Sequence, residues 1–280
     1  MLALTGDPAS PQTLFAGTYD ETGLYRSEDG GDTWSPVAHG LPPRPVYALL
    51  APPAHPGVIL AGTGDGLYRS TDSGATWVHL LAEPTRPPFV VYAFGYDERG
   101  AIYLGGDQNT LLRSDDGGAT WIVLPPIAAE LSVLSLVYIP TGALLLAGSD
   151  RMGVYFSEDR GESWQRSEGM DRTAVAGLLV VAPDDGNLVL ARGRQGLWRS
   201  EDSGRNWQSV PIEPTGRIDA VASTGDQLYF LTNEGMLYQS SDQGRTWTPH
   251  GAGLGRSGTV HFLQPTPGAA DALFAGTEHR

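Results

Sequence analysis

One pattern, Ser-x-Asp-x-Gly-x-x-Trp, occurs six times in this chain and dictates most of what it can fold into. The copies are Ser27/Asp29/Gly31/Trp34, Ser70/Asp72/Gly74/Trp77, Ser114/Asp116/Gly118/Trp121, Ser157/Asp159/Gly161/Trp164, Ser200/Asp202/Gly204/Trp207 and Ser240/Asp242/Gly244/Trp247. Successive serines stand 43, 44, 43, 43 and 40 residues apart, and six of the seven tryptophans fall in the last slot. Fixed self-similarity at that spacing signals stacked structural repeats.

Each period reads as four short strands, A to D. In the second, PVYALLA is strand A, GVILAGT strand B, LYRST strand C and TWVHLL strand D. The segments are β-branched and aromatic, and Gly, Pro or Asp punctuates them. Four strands in a period of about 40–45 residues mark the blade of a β-propeller. The Ser-x-Asp-x-Gly stretch is hairpin chemistry. Its glycine accepts φ > 0 without a Cβ clash, and its Asp and Ser oxygens accept bonds from turn N–H groups. The Trp adds a large apolar face. Asp29, Trp34, Asp72, Trp77, Asp116, Trp121, Asp159, Trp164, Asp202, Trp207, Asp242 and Trp247 are therefore read as structural.

The strings SEDGGDTW, STDSGATW, SDDGGATW, SEDRGESW, SEDSGRNW and SSDQGRTW resemble Asp boxes, also called BNR repeats. That group includes sialidases, xyloglucanase-type glycosidases, sortilin-like receptors and photosystem II assembly factors. The resemblance covers essentially the whole chain. It implies a propeller whose boxes lie at the blade periphery, away from any ligand site.

The expected fold is all-β, a single β-propeller domain over residues 1–280. Its repeats fall at about 1–41, 42–84, 85–127, 128–171, 172–214, 215–254 and a partial 255–280. Residues 259–277 repeat strands A and B once more, giving seven A–B pairs against six C–D pairs. Seven blades with an incomplete last one is the preferred count. Six blades with an extra hairpin, or a piece of a longer chain, satisfy the same arithmetic.

Charge and composition remove several functions. The net charge of −14 argues against a nucleic-acid binder, which needs a basic surface to displace counterions. All eighteen basic residues are Arg, so any anion site must use guanidinium forks. There is no Cys, hence no disulfide, thiolate catalysis or Cys-based zinc site. The six His show no metal-ligand spacing, so no metal and no cofactor is expected. No apolar run of membrane-spanning length occurs, and the start MLALTGDPASP has no signal-peptide pattern. Export is still the preferred compartment, because the resemblance implies it.

Propeller topology puts the D–A connections and B–C loops on one face. An Arg stands just before strand A in five of six D–A connections: Arg44, Arg86, Arg172, Arg217 and Arg256. Arg151, Arg192 and Arg194 add to them from B–C loops. Arginines gathered at one opening of an acidic protein point to an anion or carboxylate site. The opposing reading is inherited punctuation, each Arg paired with Asp20, Glu21, Asp65, Asp107, Asp150 or Glu234 of the B–C loops. Those carboxylates could instead serve glycoside hydrolysis, which needs two about 5–10 Å apart. Sialidases, however, carry an Arg-Ile-Pro string near the start, and none occurs here. Arg26, Arg69, Arg113 and Arg199 on strand C read as solvated or salt-paired.

The preferred function is non-enzymatic recognition of a polypeptide or carboxylate-bearing ligand at the Arg-lined face. A carbohydrate-active protein, or its remnant, and a structural module of a larger protein are the alternatives.

Overall fold

The computed structural model describes residues 2–37, 40–80, 89–181, 187–193, 196–212, 217–251, 260–265 and 273–277. The chain divides into two compact units, Met1–Val133 and Leu134–Arg280. The first holds three four-stranded antiparallel sheets, spanning residues 3–36, 46–80 and 91–123 (blades 1 to 3). The second holds three more, spanning 133–166, 175–210 and 218–249 (blades 4 to 6), and a two-stranded sheet of Val260–Pro265 and Leu273–Thr277. Each blade runs A-B-C-D in sequence order, every strand hydrogen-bonded to the next.

The preferred count of seven blades is thereby corrected: the described residues build six complete blades. A four-stranded blade needs a C–D hairpin closed by the box motif, and the sequence supplies six of those. The seventh A–B pair stands as a two-stranded sheet.

All six hairpins are wired alike. The box Ser is buried and its hydroxyl donates to the box Asp Oδ1 at 2.7–2.8 Å. It also accepts the N–H of the box Gly at 2.8–2.9 Å. The Asp Oδ2 accepts from the side chain before the Trp, a Thr, Ser or Asn, at 2.5–2.6 Å. The Trp Nε1–H returns to the box Gly carbonyl at 2.9–3.2 Å. The recurring Ser, Asp, Gly and Trp thus satisfy one another within eight residues, from the hairpin's own sequence.

Glycine is needed here for space as well as conformation. Gly204 has φ +85°, and a Cβ on it would stand 2.6 Å from Leu146 Cδ1 on strand B of the preceding blade. Gly74, φ +81°, meets Phe15 of its preceding blade in the same way, at 2.4 Å. The box therefore serves as the lid over the previous blade's core. Trp207, 3% exposed, joins Leu146, Phe156, Val189 and Ala191 in the core between blades 4 and 5.

Strand A departs from a flat ladder. The pairing register skips one residue near its start in blades 2, 3, 5 and 6 and in the two-stranded sheet. The bulged residues are Tyr47, Tyr92, Ala176, Asp219 and His261. A bulge leaves one residue outside the alternation and re-aims it.

Candidate functional site

The strand A bulges bring together most of the chemistry lying outside the boxes, separately in each unit. In the first unit, Tyr47 and Tyr92 occupy neighbouring bulges, and their rings meet edge-on with centroids 5.9 Å apart. Burial pushes the Tyr47 phenol up, and nearby Tyr19, itself exposed, adds to the effect. Arg44, just before strand A of blade 2, reaches Asp65 with Nε–Oδ2 3.3 Å. The other Asp65 oxygen accepts the Thr63 hydroxyl at 2.7 Å. Tyr68 beneath is stacked on His79 at 4.5 Å. Burial first, then the Asp65 charge, raises its phenol, while Arg44 opposes.

In the second unit the Asp219 bulge carries a charge cluster. Arg217 Nε donates to Asp219 Oδ1 at 2.7 Å. Asp219 is 6% exposed, and its Oδ2 is buried with no hydrogen-bond partner among the described residues. Arg192, across the sheet junction on strand B of blade 5, is pinned by main-chain carbonyls. Its Nη1 donates to Ile218 at 3.3 Å and its Nη2 to Ala176 at 3.1 Å. Burial pulls the Arg192 guanidinium below the usual arginine range, Asp219 pulls it back up, and Arg217 lowers it further. Arg192 and Asp219 line a cavity of about 130 Å³ whose other walls include Leu178, Leu190, Val221 and Leu263. One guanidinium thus pairs with the Asp219 carboxylate and a second stands near it, beside a small hollow of mixed polar and apolar lining.

Of the arginines expected at this face, Arg44, Arg151, Arg172, Arg192 and Arg217 are described, whereas Arg86, Arg194 and Arg256 lie outside the described residues. Arg151 Nε stands 3.7 Å from Asp150 Oδ1. Arg172 is exposed in a left-handed backbone conformation, φ 50°. Only Arg192 and Arg217 come together, through Asp219.

Two of the B–C loop carboxylates hold main chain, Asp20 in its own loop and Asp107 in the neighbouring D–A connection. Asp20 Oδ1 accepts from the Thr18 hydroxyl and the Thr22 and Gly23 N–H groups at 2.9–3.2 Å. Asp107 Oδ1 accepts the Val90 N–H at 2.9 Å. Among the described residues no group of three or more His, Asp or Glu side chains could hold a metal ion. No helix among them is long and apolar enough to cross a membrane.

Sequence reasoning missed the bulged residues. A signal was available in the aligned repeats, where the second position of strand A is Tyr47, Tyr92, Leu134, Ala176, Asp219 and His261 while the residue before it stays Val or Ile. It also undervalued the strand C arginines. Arg69 Nε donates to Gly117 O at 2.9 Å and Arg199 Nε to Gln243 O at 2.8 Å. Each acceptor precedes the box Gly of the next blade, so these side chains tie blades together.

No protein-family model and no curated protein matches the chain. Solved structures do. An ancestral GH74 enzyme superposes with TM-score 0.76 at 19% identity, over 97% of this chain and 43% of that one. This chain therefore spans less than half of that enzyme. YCF48 bound to D1 peptide gives TM-score 0.76 at 15% identity, over 98% of this chain and 89% of that one. The WD40 repeats of RRP9 give 0.75 at 13%, over 100% and 88%. At such identities the likeness defines the fold alone. The chain is an all-β propeller with four-stranded antiparallel blades, of the class that also holds the GH74 and YCF48 propellers.

Proposed function

We propose that the chain is a non-enzymatic recognition propeller of the Asp-box kind that binds a polypeptide segment ending in, or bearing, a carboxylate. The observation that carries this is the Arg192–Arg217–Asp219 cluster, where two guanidiniums face one carboxylate beside a hollow. An incoming carboxylate would balance that local charge, and Arg forks suit it. A polypeptide fits better than a bare anion because it also brings N–H donors, and Asp219 Oδ2 is a buried acceptor wanting one. The identical wiring of all six Ser-Asp-Gly-Trp hairpins supports the Asp-box assignment. Asp202 and its five counterparts serve that wiring, consistent with a structural role.

The glycosidase reading is weaker because four of its six candidate carboxylates are engaged. Asp20 holds its own turn, Asp107 holds the Val90 N–H of the neighbouring D–A connection, and Asp65 and Asp150 lie against Arg44 and Arg151. Fold likeness to a GH74 enzyme does not supply a reaction.

The test is selection of random peptides with free C-termini on the immobilised chain, repeated with the selected peptides amidated. Binding that falls at least tenfold on amidation, and again in Arg217→Ala, supports the reading. Peptides that bind equally once the C-terminus is amidated and every Asp and Glu replaced by Asn and Gln, or that bind Arg217→Ala equally, overturn it.

A further inference from the structure

At three junctions between blades, two box positions face each other: the residue after the box Ser on one blade and the residue after the box Gly on the next. Between blades 4 and 5 they are Glu158 and Arg205, and Arg205 Nη2 donates to Glu158 Oε1 at 2.6 Å. Between blades 5 and 6 they are Glu201 and Arg245, joined at 2.7 Å. There Arg199 of strand C also donates to the same Glu201 oxygen, at 2.6 Å.

Between blades 1 and 2 the same positions hold Glu28 and Ala75. Arg26 of strand C reaches Glu28 Oε1 at 3.1 Å, as Arg199 reaches Glu201. The crossing arginine is replaced by a methyl group, and a cavity of about 500 Å³ opens in its place. Its lining includes Arg26, Glu28, Ser35, Val37, Gly74 and Ala75.

A second observation comes from Arg26 itself. The Nε groups of Arg69 and Arg199 each donate to a main-chain carbonyl of the next blade. Arg26 Nε is buried and has no partner among the described residues. A buried donor left unpaired is unfavourable; this junction lacks an acceptor for Arg26 Nε and the second, crossing guanidinium that Glu201 has.

We propose that this cavity binds an arginine side chain of a partner polypeptide. The guanidinium takes the place on Glu28 that Arg245 takes on Glu201, and a carbonyl flanking that arginine accepts from Arg26 Nε. Pro36 and Val37, which also line the cavity, face the aliphatic stem. The net charge of −14 draws a cationic partner toward the surface. Arginine is favoured over lysine because its planar fork reproduces the contact the sister junctions already make. This site lies in the first unit and does not depend on the carboxylate site of the second.

The probe is N-acetyl-arginine N-methylamide, titrated into the ¹⁵N-labelled full chain while backbone amide shifts are followed. Saturable shifts are expected at Ser35, Gly74 and Ala75. Glu28→Gln should weaken binding roughly fivefold, the scale of one exposed ion pair. Ala75→Arg should abolish it, since the chain then supplies its own guanidinium, as it does at Arg205 and Arg245. Absence of saturable shifts at those amides overturns the proposal. So does binding that survives Ala75→Arg, or equal binding of the glutamine analogue of the probe. Glu28→Gln alters a surface side chain and no backbone, so it decides the matter even if Ala75→Arg fails to fold.

Discussion

The box hairpins and the strand A bulges are both repeated features of the same blades, yet they vary in opposite ways. The hairpin keeps its Ser, Asp, Gly and Trp in all six copies, and its hydrogen bonds repeat within a few tenths of an ångström. The bulge keeps its backbone shape while its side chain changes from Tyr47 and Tyr92 to Ala176 and Asp219. In blades 2, 3, 5 and 6 the hairpin closes the core of the preceding blade, so these copies meet the same packing demand. The bulged residue stands outside the alternation, so no such demand fixes it. Repetition therefore marks what holds the blades, and variation marks positions that the packing leaves free.

The sharpest way to break this contrast is to delete one side chain of each kind. Trp207→Ala removes a buried indole from the core between blades 4 and 5 and should cost about 3–5 kcal/mol. Tyr47→Ala, at a bulge, should cost about 1 kcal/mol, the typical effect of a change outside the core. Urea unfolding of both variants checks the pair. Equal losses would mean that the bulges are structural too.

Gly204→Ala comes next. It places a Cβ 2.6 Å from Leu146 and forces a left-handed conformation on a side-chain-bearing residue. Strain and overpacking together predict a loss of about 2–4 kcal/mol. A thermal melt shifted by less than a degree or two would refute the idea that the box seals the neighbouring core.

Acid is a second probe of the hairpins. The Asp29, Asp72 and Asp242 carboxyls are held at about 2, chiefly by the hydroxyls of Thr33, Thr76 and Thr246 and then by backbone N–H groups of the same residues. The folded value lies below the unfolded one of about 3.9. Their contribution is therefore present above that value and is lost as pH falls through the folded value. Stability should decline from about pH 4 toward pH 2, and Asp242→Asn should flatten part of that decline. A pH profile of unfolding that is unchanged by the substitution would remove the carboxylate from the account.

The hairpins were legible in the sequence because four residues within eight positions satisfy one another locally. Blade order followed from the period for the same reason. The number of complete blades was harder, since seven A–B pairs and six C–D pairs allow more than one count. The bulges were not legible from strand propensity, because a bulge is set by the pairing register of strands A and B, which the propensity of either strand alone does not fix. Of the arginines expected at the ligand face, Arg217 was found with Asp219, two residues away, but the approach of Arg192 depends on how blades 5 and 6 pack. Arg69 and Arg199 were read as surface charge because their acceptors, Gly117 and Gln243, are 48 and 44 residues on.

The smallest predicted effect tests those ties between blades. Arg69→Met removes a guanidinium that donates to Gly117 and should cost about 1 kcal/mol, the net worth of one hydrogen bond. Arg26→Met removes the same side chain where Nε has no acceptor, so the loss should be less than half as large. The two substitutions fall at equivalent positions: Arg69→Met gives up a bond to a main-chain carbonyl, Arg26→Met an exposed ion pair with Glu28, which is worth little. Matched denaturation curves give the difference directly. If Arg26→Met proves as costly as Arg69→Met, the junction between blades 1 and 2 is as tightly tied as its sisters, and the cavity there is filled in solution by the chain itself.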